Sequence, residues 1–149
     1  MAKYWSLIPF IVFVSMAAAS GAMFQTGPWY EALNKPWWTP PNWVFPIAWT
    51  ILYLMIAVAG WLVWRADGVS TALVIWILCL ILNALWSYFM FGRQDISAAL
   101  ADVSALWLAT AAFIFASWSL EPRAAQIFIP YLAWVSFAAA LNFAVWRMN

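Results

Sequence analysis

Apolar residues fill the chain in five long blocks, separated by short breaks that carry charge, glycine or proline. A hydrocarbon core of about 30 Å needs about 20 apolar residues at a helical rise of 1.5 Å. The blocks have that length and predict helices near 5–24, 44–64, 71–91, 96–119 and 125–147. Arg65, Asp67 and Gly68 part the second block from the third; Gly92, Arg93 and Asp95 part the third from the fourth; Glu121, Pro122 and Arg123 part the fourth from the fifth. Connections this short join antiparallel neighbours. The expected fold is all-α, one integral membrane bundle of five transmembrane helices over 1–149.

Composition supports the membrane reading and removes several functions. Of 149 residues, 68% are hydrophobic and 7% charged, which is far from the balance of a soluble domain. Six Lys plus Arg against five Asp plus Glu leave a formal charge of +1, so no basic surface is available for nucleic acid and the expected surroundings are lipid. No histidine is present, which removes the commonest metal ligand, the usual axial haem ligand and the usual general base. No cofactor is therefore expected to be required. The single cysteine, Cys79, excludes an internal disulfide. Met1 to Ala22 imitates a secretory signal, with Lys3, an apolar run and the small residues Ala17 to Gly21. A retained helix is the expectation, because cleavage would leave only further apolar spans. Orientation is not fixed: Lys3, Arg65 and Arg123 on one side balance Lys35, Arg93 and Arg147 on the other.

Thirteen of the fourteen tryptophans sort by depth. Trp5, Trp29, Trp37, Trp38, Trp43, Trp64, Trp118 and Trp146 fall at predicted span ends, where an amphipathic indole suits the headgroup belt. Trp49, Trp76, Trp86, Trp107 and Trp134 fall deeper. One connection, 25–43, is long; Gln25 to Asn42 reads QTGPWYEALNKPWWTPPN, and its four prolines lower the entropy of the free loop. An ordered lid is expected there. Glu31 and Lys35 stand four apart and could pair across a short helix, although solvated charges are the expectation.

Chain direction places the polar side chains. In an up-down bundle the ends of spans one, three and five lie beside the beginnings of two and four, on the lid side. That half receives Ser20 and Gly21, then Pro46, Trp49 and Tyr53, then Asn83, Trp86 and Ser87, then Asp102, then Trp134, Ala138 and Asn142. Trp49 and Tyr53, Asn83 and Ser87, and Trp134, Ala138 and Asn142 repeat at four residues, which puts each set on one helix stripe. Polar groups in hydrocarbon tend to turn inward. Two readings follow: a cavity for a large flat apolar molecule under the lid, or polar groups that bond one another and hold the helices together. Asp102 lies about two turns into span four, in reach of loop backbone or an indole donor, and with no second carboxylate at its depth it is not expected to relay protons. A repeat at Ala98, Asp102, Ala105, Ala109, Ala112 and Ala116 marks close helix packing or a dimer seam.

Three blocks resemble signatures of the TspO/MBR family of tryptophan-rich membrane proteins, also called the translocator protein or peripheral benzodiazepine receptor family: WYEALNKPWWTPPNWVFPIAW from Trp29 to Trp49, LNALWSYFMFG from Leu82 to Gly92, and PYLAWVSFAAALNFAVWR from Pro130 to Arg147. With the five-span layout the resemblance covers essentially the whole chain. It implies a multi-pass protein of a bacterial cell membrane or outer membrane and a homodimer. Its ligands would be porphyrins such as protoporphyrin IX and haem-type tetrapyrroles, or other flat apolar molecules such as benzodiazepine-like drugs and sterols. The implied ligand contacts are Trp49, Tyr53, Asn83, Trp86, Phe89, Trp134 and Ala138. Trp134 matches the family residue implicated in light-dependent porphyrin breakdown, so it is the one catalytic candidate. The family's sterol pattern is partly kept, with Phe143 in place of its tyrosine. The functions implied are a porphyrin receptor or sensor, a light-dependent porphyrin-degrading enzyme, or a tetrapyrrole or sterol transporter.

Overall fold

A computed structural model describes residues 2–23 and 27–149. The expected end of span one at residue 24 and the first two residues of the lid lie outside the described residues. A 3-10 turn, Ala2–Leu7, leads into α1, Ile8–Met23; then come α2, Pro28–Ala32, in the lid, α3, Val44–Asp67, α4, Thr71–Ser87, α5, Ile96–Trp118, and α6, Pro122–Met148. A π-helical turn, Tyr88–Gly92, extends α4. Five helices, α1 and α3 to α6 with these extensions, are long and apolar enough to cross a membrane, and no strand occurs among the described residues.

The helix ends have local causes, and two of them revise the sequence reading. α3 runs three residues past the expected stop, because Gly68, not Arg65, ends it: its φ of +58° turns the chain while its N–H bonds the Trp64 carbonyl. Asp95 and Glu121 begin helices as well as separating them. Asp95 accepts from the Ala98 N–H at 3.0 Å, and Glu121 accepts from the Arg123 N–H at 3.3 Å. With Pro122 at the first helical position, α6 starts three residues before 125. Ser70 caps α4 in the same way, accepting from the Leu73 N–H.

Around the bundle the spans follow the order α1, α3, α6, α5, α4, closing where α4 meets α1. The main core fills the middle of this ring: Phe113 and Phe128 pack with ring centres 4.0 Å apart, with Ile56, Val63, Trp76 and Val135 around them. A separate cluster under the lid joins Tyr30 to Met90, Ala99, Leu141 and Val145. Three indoles tie neighbouring segments by donating to serine hydroxyls: the buried Trp61 to Ser6 at 2.8 Å, and the outer Trp107 to Ser136 at 2.7 Å and Trp146 to Ser97 at 3.0 Å. The small-residue repeat of α5 runs along the edge between its buried and exposed sides. Asp102 and Ala109 are buried, whereas Ala105 and Ala112 are exposed on the outside.

Candidate functional site

Beneath α2 lies a chamber of about 550 Å³ to which all five spans and the lid contribute. Its volume is within the range of small-molecule sites. α3 supplies Phe45, Trp49 and Tyr53, spaced four apart and hence on one stripe; the Trp49 and Tyr53 rings stack at 5.4 Å. α6 supplies Trp134, Ala138 and Asn142 on a second stripe, and Trp134 stands perpendicular to Trp49 with centres 6.2 Å apart. α4 supplies Asn83, Trp86 and Ser87, α5 supplies Val103 and Leu106, and α1 supplies Ala18, Gly21 and Ala22, whose small size leaves room for the cavity.

The amides of this chamber are already engaged. The Tyr53 hydroxyl donates to Asn83 Oδ1 at 3.0 Å, and Asn83 Nδ2 donates to the Tyr131 hydroxyl at 2.9 Å. The Trp86 indole donates to Asn142 Oδ1 at 2.9 Å, while Asn142 Nδ2 reaches the Ile96 carbonyl at 3.3 Å. Ser20, which does not line the chamber, donates to the Ala84 carbonyl at 2.8 Å. Both readings of the polar half therefore hold together: a cavity exists, and its amides bond one another across helices.

Trp134 is the exception. Its indole nitrogen is buried and has no hydrogen-bond partner. An orphan donor is costly in hydrocarbon, and this one belongs to a residue of the chamber wall. The other orphan is Oδ2 of Asp102, on α5 outside the chamber lining. For that oxygen no loop or indole donor is found.

Of the seven expected contact residues, six line the chamber: Trp49, Tyr53, Asn83, Trp86, Trp134 and Ala138. Phe89 does not. The π turn, closed by the Arg93 N–H on the Tyr88 carbonyl at 2.8 Å, shifts the register, so Met90 and Phe91 face inward while Phe89 packs beside Tyr88. Sequence reasoning also missed Phe45, although its spacing from Trp49 signalled it, and Tyr131, three residues before Trp134.

The lid is ordered by its own bonds. Lys35 does not pair with the Glu31 carboxylate; its Nζ donates to the Tyr30, Glu31 and Leu33 carbonyls, the closest at 2.7 Å, and neutralises the end of α2. Glu31 accepts from the Asn42 amide at 2.7 Å instead. Burial pushes the Tyr30 phenol above its ordinary range, and the neighbouring Glu31 charge adds to the effect. A larger hollow of about 630 Å³ between α1 and α4 is almost wholly apolar and is lined by none of the expected residues. Among the described residues no group of three His, Cys, Asp or Glu side chains could hold a metal ion.

Comparison with known proteins agrees with these features. The model of the TspO/MBR family matches residues 5–147. The chain belongs to the TspO/MBR family. It is 40% identical over 146 residues to the tryptophan-rich sensory protein of Cereibacter sphaeroides, covering 97% of this chain and 92% of that one. It is 35% identical to the protein CrtK of Rhodobacter capsulatus, covering 94% and 90%. It is also 35% identical to the translocator protein of Homo sapiens, across 100% of this chain and 94% of that one. Family membership and five apolar spans together make it an integral, multi-pass membrane protein.

Proposed function

We propose that the chain is a membrane receptor or sensor that takes a flat apolar guest, a porphyrin such as protoporphyrin IX first among them, into the chamber beneath its lid. The observation that carries this reading is the chamber itself: about 550 Å³, walled by Trp49, Trp86 and Trp134, with the buried indole N–H of Trp134 unpartnered. Aromatic walls suit planar guests, because ring faces stack on one another. The names of relatives, a tryptophan-rich sensory protein and a translocator protein, support a receptor or transport role for this chain.

Titration of the purified protein in detergent with protoporphyrin IX tests the reading through indole emission. Saturable quenching is expected, and Trp49→Ala combined with Trp134→Ala should weaken it at least tenfold, or about 1.4 kcal/mol. An unchanged affinity in that double variant would remove the chamber from the binding site. Trp134→Phe keeps the ring but loses the orphan N–H, so it should lower affinity for a guest with acceptor atoms while leaving thermal stability equal or slightly higher.

A second reading, light-dependent breakdown of a bound porphyrin, is favoured by the placement of the electron-rich Trp134 ring in the chamber wall. It requires turnover under illumination in excess over protein. Stoichiometric loss, or loss equal in Trp134→Phe, would end it. Flux through reconstituted vesicles separates a receptor from a transporter, and light scattering in detergent tests the homodimer that the family resemblance implies.

A further inference from the structure

The lid meets the chamber at two aromatic junctions: Trp38 stands edge-on to Phe137, which packs beside Trp134, and Tyr30 meets the π turn. The π turn that displaces Phe89 carries Phe91 inward, where its ring stands edge-on to Tyr30 of the lid at 5.6 Å and edge-on to Trp86 of the chamber wall at 5.5 Å. Trp86 is held in turn by Asn142, and Asn142 by the Ile96 carbonyl. Tyr30 is only 5% exposed, although it sits on a five-residue helix outside the spans. The cluster that buries it is distinct from the main core, and Trp86 packs against both. Opening the lid therefore disrupts the smaller cluster and leaves the main core standing, which is the condition for local opening. The lid also has a polar tie, in which the Asn34 N–H donates to Asn149 Oδ1 at 3.1 Å and Asn149 Nδ2 donates back to the Asn34 carbonyl at 2.8 Å. Those bonds are exposed and exchange readily with water, so the buried ring contact is the stronger restraint.

From this geometry we propose that Phe91 is the positioning residue that couples lid to chamber. It holds Tyr30 down over the empty cavity, and a planar guest lying against Trp86 tightens that hold, so the guest leaves only when α2 lifts. The second half of the proposal rests on the receptor reading; the first half does not.

Hydrogen exchange of the full chain in detergent, with and without protoporphyrin IX, tests both halves. Without guest, Phe91→Ala should speed exchange of the Glu31 and Leu33 amides, which bond the Gly27 and Tyr30 carbonyls, by about tenfold, the worth of one edge-to-face ring pair. Exchange within the spans should not change. Phe115→Ala, at a site 88% exposed on the outside of α5, should leave the lid as it is. Phe91→Tyr should restore slow exchange, and Phe91→Leu gives the same readout should the alanine variant fail to fold. With guest, the lid amides of the unsubstituted protein should become protected, and in Phe91→Ala the guest should dissociate faster at an unaltered association rate. Lid exchange in Phe91→Ala equal to that of the unsubstituted protein would overturn the proposal. Saturable binding with no change in lid exchange would overturn the coupling and leave the receptor standing. Absence of binding would overturn the receptor reading and the second half together, while the guest-free comparison still decides the first.

Discussion

Trp76 lies flat against Gly60, so close that a Cβ on that glycine would overlap the indole ring, and the Trp76 N–H donates to the Ile56 carbonyl at 2.8 Å. This is where α3 and α4, which otherwise touch sparingly, are joined.

Gly60→Ala should accordingly destabilise the fold despite the higher helix propensity of alanine. The added methyl must displace a fully buried indole, and overpacking of this kind costs about 1–3 kcal/mol. Thermal unfolding in detergent, followed by circular dichroism, should show a lowered midpoint; a midpoint equal to that of the unsubstituted protein would contradict the packing described.

Asn83 is 5% exposed and serves two phenols, accepting from Tyr53 and donating to Tyr131. Asn83→Ala leaves both hydroxyls without their partner and should cost about 1–3 kcal/mol. Tyr53→Phe removes one bond and should cost less, since intramembrane bonds of this kind average about 0.6 kcal/mol. The double variant should be no worse than Asn83→Ala, because the shared bond is lost only once. Additive losses would show that the two groups act apart.

Asp102 is 6% exposed and leaves Oδ2 unsatisfied. Replacement of a buried polar group by an apolar one of similar volume is often neutral or stabilising, by about 1–4 kcal/mol for ion pairs. Asp102→Leu should therefore keep or raise the thermal midpoint. A clear fall would reveal a partner that the static fold does not hold.

Glu121 caps α6 and binds Arg123 at 2.9 Å. That hydrogen bond holds its carboxyl below the ordinary range. The folded value is the lower one, so the stabilisation is complete above the unfolded value, about 4.3, and is lost as pH falls through the folded value. The midpoint should decline on acidification below pH 4.3 in the unsubstituted protein and decline less in Glu121→Gln. Parallel curves would assign the acid sensitivity elsewhere.

The five spans were legible because hydrocarbon thickness fixes their length, and the chamber's location because chain direction assigns each polar residue to one half of the bundle. Four-residue spacing correctly grouped Trp49 with Tyr53 and Trp134 with Ala138 and Asn142. What the sequence concealed were matters of fine register and partner choice. One inserted backbone unit at Tyr88–Gly92 exchanges Phe89 for Met90 and Phe91, and no composition rule signals it. Lys35 and Glu31 stand at ion-pair spacing, yet carbonyls at the end of α2 and the Asn42 amide compete for them. Asp102 is a similar case: reach along a helix does not reveal whether a donor turns toward Oδ2, and none does.

The mutual satisfaction of Tyr53, Asn83 and Tyr131, and of Trp86 and Asn142, bears on selectivity. On the proposed receptor reading, a wall that keeps the Trp134 N–H but has spent its amides would discriminate chiefly by breadth and thickness, and only secondarily by matching donors to acceptors. Chemically unrelated slabs of similar outline would compete for it on nearly equal terms, and preference among them would be retuned by exchanging a single ring.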